Sequence, residues 1–172
     1  RRFHARSPRH HLLRMKTLLT AVLILAAGQI FAACPTSPVT ASRCVATTGN
    51  DANDCLTLST ACLTIQRGVN SLSSTDNMGG SGAVYLDDGL TYTGPVNILY
   101  YRFVQIIGNQ ADPWKVRISA GSGQAAFWVQ DHAIAGFSGF ECDTPGGTCI
   151  ASRQYSIVDF GLIRFVRANE HL

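Results

Sequence analysis

The chain has 172 residues, of which 46% are hydrophobic, a length and composition that suit one domain with its own core. Its formal charge of +3 is carried by the leader: Arg1, Arg2, Arg6, Arg9, Arg14 and Lys16 hold six of the fourteen bases and no acid lies among them. The remaining eight bases face eleven acids, a net of −3, which excludes an electrostatic footprint for nucleic acid or anionic lipid.

The first element in chain order is the apolar run Leu18 to Ala33, directly after Lys16-Thr17. A basic start, a short apolar stretch and small residues at its end read as a bacterial secretory signal peptide, and the run is short for a membrane span. Met15 is the natural start, with residues 1–14 as upstream sequence or a long basic n-region. Cleavage is expected after Ala32 or Ala33. Phe31-Ala32-Ala33-Cys34 is similar to a lipobox, so Cys34 is either a lipid-anchored cysteine, the one route to a membrane, or half of a disulfide. The expected division is therefore 1–33 as upstream segment and signal peptide, and 34–172 as the mature domain, secreted, periplasmic or on the cell surface.

Six cysteines follow the leader: Cys34, Cys44, Cys55, Cys62, Cys142 and Cys149. An even count behind a signal peptide implies disulfides, and sequence proximity favours Cys34–Cys44, Cys55–Cys62 and Cys142–Cys149. Asp143-Thr144-Pro145-Gly146-Gly147 is turn chemistry suited to the last of these. No Cys-x-x-Cys occurs and no histidine adjoins a cysteine pair, so no metal site is expected, and no cofactor motif is present.

Residues 34–43 are a polar entry. Cys44–Thr47 reads as a strand and Gly49–Asp54 as a turn-rich stretch. Residues 64–72 form an amphipathic helix, with Thr64 as N-cap and Ile65, Val69 and Leu72 on one face. Gly68 costs this helix about 1 kcal/mol relative to Ala, so packing must hold it. After the glycine-rich stretch Asn77–Gly82, short strands are expected at Ala83–Leu86, Thr91–Thr93, Val96–Ile98, Phe103–Ile107, Val116–Ile118, Ala126–Val129, Ala133–Phe137, Cys149–Ala151, Ser156–Phe160 and Ile163–Val166.

A shift of 23 residues superposes Phe127 on Ile150, Ala133 on Ser156, Ile134 on Ile157, Phe137 on Phe160, Phe140 on Ile163 and Cys142 on Phe165. Apolar or small residues meet their like each time. A period in the low twenties is the coil length of solenoids, whose coils bury their inner faces only by stacking.

Residues 44–54, Cys44 to Asp54, followed by Cys62-Leu63-Thr64-Ile65-Gln66, resemble the opening of bacterial and phage right-handed parallel β-helix proteins of the pectin-lyase-like superfamily. Ala83–Leu86, Gly89–Gly94 and Phe103–Gly108 are similar to the strands and turns that follow in that group. The resemblance spans roughly residues 44–166. It implies an all-β, right-handed parallel β-helix with a short N-terminal capping helix. It does not select an activity, since that superfamily includes lyases, hydrolases and tail fibres.

Candidate chemistry is sparse. Asn-Thr-Asp and Gly-His-Gly, used by polygalacturonases of this fold, are absent. Asp87-Asp88 reads as a solvated turn, because strand neighbours face opposite ways. Trp128-Val129-Gln130-Asp131-His132 is similar to the Trp-Ile-Asp-His of pectate lyases with one residue inserted, which in a strand reverses the faces of Asp131 and His132 relative to Trp128; Gln130-Asp131-His132 reads equally as turn residues between two strands. Arg153 lies one period after Gln130, and Arg164 one after Glu141. Asp131, His132 and Arg153 are thus the catalytic candidates, and His132 is expected to be dispensable. Trp114, Trp128 and Tyr155 are the candidates for stacking on sugar rings. The favoured expectation is an exported structural or glycan-binding β-helix with polysaccharide as partner; the alternative is a lyase or hydrolase of acidic polysaccharide. The repeat still runs at Phe160, Ile163 and Phe165, so the solenoid is expected to be incomplete at residue 172 and to self-associate through its open coil.

Overall fold

The computed structural model describes Cys34 and residues 41–72, 80–100 and 102–167. The expectations for the leader, for most of the entry segment and for 168–172 fall outside the described residues.

Among the described residues the fold is mostly β, with parallel sheets and one α-helix. Its elements are β1 (Ser42–Val45), α1 (Ile65–Ser71), β2 (Gly82–Leu86), β3 (Leu90–Thr93), β4 (Val96–Ile98), β5 (Phe103–Ile107), β6 (Val116–Ser119), β7 (Phe127–Val129), β8 (Ile134–Ser138), β9 (Phe140–Asp143), β10 (Ile150–Ser152), β11 (Ile157–Phe160) and β12 (Ile163–Val166). The strands form three sheets, ordered β1-β2-β5-β8-β11, β3-β6-β9-β12 and β4-β7-β10. Every ladder is parallel. From β2 onward the chain visits the three sheets in a fixed rotation.

The 23-residue shift is a hydrogen-bonding register. Phe127 pairs with Ile150, Ile134 with Ile157, Phe137 with Phe160, Phe140 with Ile163 and Cys142 with Phe165. Because strand side chains alternate, each register column keeps one face. Val84, Ile106 and Phe137 form one inward column, and Val96, Phe127 and Ile150 another, all buried. Phe160 continues the first column and stacks on Phe137 at 6.5 Å, yet it stays 37% exposed. It is therefore not the core residue the repeat suggested: β11 ends its sheet, and no described strand lies beyond it.

The first rung explains the opening motif. Asp51 accepts from Leu63 N (2.9 Å), Thr64 N (2.9 Å) and Thr64 Oγ1 (2.8 Å). The Thr64 hydroxyl in turn accepts from Arg67 N at 3.1 Å, the N-cap of α1. Gly68 is a requirement of packing: a Cβ there would lie 2.7 Å from Val45 Cγ2 and 3.0 Å from Val84 Cγ1, so only glycine lets α1 sit on β1 and β2. Burial pushes the Asp51 pKa up, but the bonds from Thr64 and Leu63 and the charge of Arg67 outweigh it and hold the carboxyl below its usual value. Asp51→Ala is expected to cost about 1–2 kcal/mol at neutral pH in urea unfolding. A carboxyl with a depressed folded pKa stabilises above its unfolded value and loses that contribution as pH falls through the folded value. The gap between wild type and variant should therefore close below about pH 4; a gap that stays constant into acid would contradict the assignment.

Three disulfides join Cys34 to Cys44, Cys55 to Cys62 and Cys142 to Cys149. The Cys34 sulfur thus pairs with Cys44, the disulfide reading of that residue. Among the described residues no helix is long and apolar enough to cross a membrane.

Candidate functional site

The outward columns carry the chemistry. In β9, alternation turns Phe140 and Cys142 to the core and Glu141 and Asp143 to the other side. Register places Glu141 between Arg117 on β6 and Arg164 on β12. Arg117 Nε donates to Glu141 Oε1 at 2.7 Å, and Arg164 Nη1 to Glu141 Oε2 at 3.2 Å. Arg167 Nε donates to Asp143 Oδ1 at 2.8 Å, its Nη2 reaches Asp143 Oδ2, and Arg117 Nη1 lies 3.9 Å from the same carboxylate. Both acids are only 3% exposed, beneath arginines that are about half exposed. The Arg167 hydrogen bond, with the charges of Arg167 and Arg117, overrides burial and holds the Asp143 carboxyl below its ordinary value. A carboxylate fixed in that state is poorly matched to proton transfer near neutral pH.

Trp114 is delivered to this face by a loop between β5 and β6. Asn109 Oδ1 accepts from Ala111 N and Asp112 N, and its Nδ2 donates to the Asp88 carboxylate at 2.9 Å. The 3-10 turn Pro113–Lys115 follows, and the Trp114 ring, 61% exposed, lies 4.5 Å from the Arg164 guanidinium. Asp88, beside Lys115 at 3.9 Å, is tied into this loop rather than acting with Asp87.

A second aromatic group sits on the β4-β7-β10 sheet and its exit turns. Trp128 faces outward on β7, and the Arg153 guanidinium lies 4.6 Å from its ring. The connectors 130–133 and 153–156 are four-residue turns of one kind, closed by Ala133 N to Gln130 O at 3.2 Å and Ser156 N to Arg153 O at 3.4 Å. Asp131 and His132 have φ of 57° and 64°, and Gln154 and Tyr155, one period on, have 55° and 60°. These are the φ values of type I′ turns. The His132 ring stacks on Tyr155 at 5.5 Å, and Tyr155 is 88% exposed.

Of the catalytic candidates, Asp131 and His132 lie in this turn, so the strand alternation applied to them stops at Val129. No hydrogen bond or ion pair joins Asp131 to Arg153. Trp114 and Tyr155 are exposed, and Trp128 is half-buried. The spacing that set Arg164 one period after Glu141 is a true ladder pair; Arg117, Asp143 and Arg167 were missed in the sequence, and acids at the alternate positions 141 and 143 were the available signal. No group of three or more His, Cys, Asp or Glu able to hold a metal occurs among the described residues. Comparison with family models, curated proteins and solved structures finds no match.

Proposed function

We propose that the chain is an exported, right-handed parallel β-helix that binds glycans without cleaving them. Three disulfides support an oxidising compartment. The fixed rotation among three parallel sheets, with the sequence likeness to pectin-lyase-like proteins, supports the coil. The observation that carries the glycan reading is the pairing of both tryptophans with arginines from later in the repeat: Trp128 with Arg153 one repeat on at 4.6 Å, and Trp114 with Arg164 two repeats on at 4.5 Å. A ring anchored in this way needs little ordering when a sugar stacks on it, and stacking on an exposed aromatic face requires no reacting group.

Affinity electrophoresis through a panel of soluble polysaccharides tests this. At least one polymer should retard the protein, and Trp114→Ala or Trp128→Ala should weaken that retardation about fivefold or more, the order of one aromatic contact. Product analysis of the same mixtures should find the polymer intact. No retardation by any polymer, or its persistence in the double variant, would overturn the reading; chain cleavage would establish a lyase or hydrolase instead.

A further inference from the structure

We propose that the outward face of β6, β9 and β12 binds an anionic substituent, a carboxylate or sulfate, on that glycan, through Arg117, Arg164 and Arg167. The inference rests on the glycan reading and adds the charge of the sugar. Three guanidiniums share two carboxylates, Glu141 and Asp143, which leaves one positive charge uncompensated in the cluster. The geometry is asymmetric in the same direction. The acid side chains are 4% exposed, whereas those of Arg117, Arg164 and Arg167 are 48%, 53% and 64% exposed, so a ligand meets guanidinium before carboxylate.

Arg164 is the centre of the site. It commits Nη1 to Glu141 and its π face to Trp114, and its remaining N–H groups have no acceptor among the described residues. The buried carboxylates act as positioning groups. They hold the guanidinium forks in place, so the forks lose little freedom when an anion arrives. Trp114 beside them supplies the apolar platform for the ring that bears the anion. The domain after the leader has a net charge of −3, which disfavours indiscriminate polyanion binding and makes this local excess selective.

The test compares migration of the disulfide-intact protein through polygalacturonate, dextran sulfate and neutral dextran, with phenylglyoxal labelling of arginines mapped by mass spectrometry. The expected result is retardation by one or both anionic polymers but not by dextran, weakened by added salt. That polymer should shield Arg117, Arg164 and Arg167 from labelling, and which one does so separates carboxylate from sulfate. Arg164→Gln should lose affinity on the order of ten- to a hundredfold. Labelling of the wild-type protein gives the answer even if that variant folds poorly. Equal or exclusive retardation by dextran would overturn the anion site while sparing the glycan reading. Anionic retardation with these arginines still labelled would place the site elsewhere. Retardation by none of a wider panel would remove both.

Discussion

Phe127→Ala is expected to lower the free energy of unfolding by about 4 kcal/mol, the middle of the range for a buried phenylalanine. Phe127 is fully buried, and its ring centroid lies 4.7 Å from that of Phe137 and 5.9 Å from that of Phe140. It also pairs in register with Val96 on one side and Ile150 on the other. Its removal opens a void bounded by side chains from all three sheets. Those strands are fixed by ladders on both edges, so the void cannot collapse cheaply. Denaturant unfolding measures the effect, with Phe103→Ala, a half-exposed position on β5, as a comparison expected to cost about 1 kcal/mol or less. Equal losses at the two positions would mean that the inward and outward columns are misassigned.

Gly139→Ala is expected to cost about 3 kcal/mol, from two separable causes. Gly139 has φ of 75°, a left-handed conformation that costs an L-residue about 1–2 kcal/mol. A Cβ there would also sit 2.8 Å from the carbonyl carbon and oxygen of Gly108 on the neighbouring coil, backbone atoms that cannot swing aside. The reverse contact is as tight, since a Cβ on Gly108 would lie 2.3 Å from Gly139 O. Gly123 provides the control: its φ is 74°, and a Cβ there meets nothing within 4 Å. Gly123→Ala should therefore cost only the conformational part, about 1–2 kcal/mol. The excess at Gly139 measures how closely two coils approach at the corner between β8 and β9. Equal costs at Gly123 and Gly139 would argue against that approach.

Much of this arrangement could be read from residue pattern alone. Val96–Ile98, Phe103–Ile107 and Ile163–Val166 match their strands residue for residue, because each alternates between turn residues. The 23-residue shift found true ladder partners because one coil there is that long. It failed to extend backward because the loop from Gly108 to Lys115 interrupts the preceding coil. β9 was not recognised as a strand, although Phe140 and Cys142 were placed in the repeat. Its alternate residues are Glu141 and Asp143, types depleted in strands. They are acceptable there only because Arg117, Arg164 and Arg167 come from adjacent strands and the residue after β12. The same dependence hid the charged face, since a carboxylate–arginine cluster built across coils has no local motif. Residues 130–132 fall between the expected strands Ala126–Val129 and Ala133–Phe137, so the turn itself was legible; its two positive φ values at Asp131 and His132 were not, because neither is glycine.

The protein has two tryptophans, Trp114 and Trp128, and both lie in the faces assigned to the glycan. Intrinsic tryptophan fluorescence therefore reports on the proposed sites without a label or a mutation. Titration with a polysaccharide that retards the protein should give a saturable change in emission and reduced quenching by iodide, as the stacked sugar covers the rings. Saturable binding with unchanged emission and undiminished quenching would contradict the account, because the glycan would then be held somewhere other than the tryptophan faces.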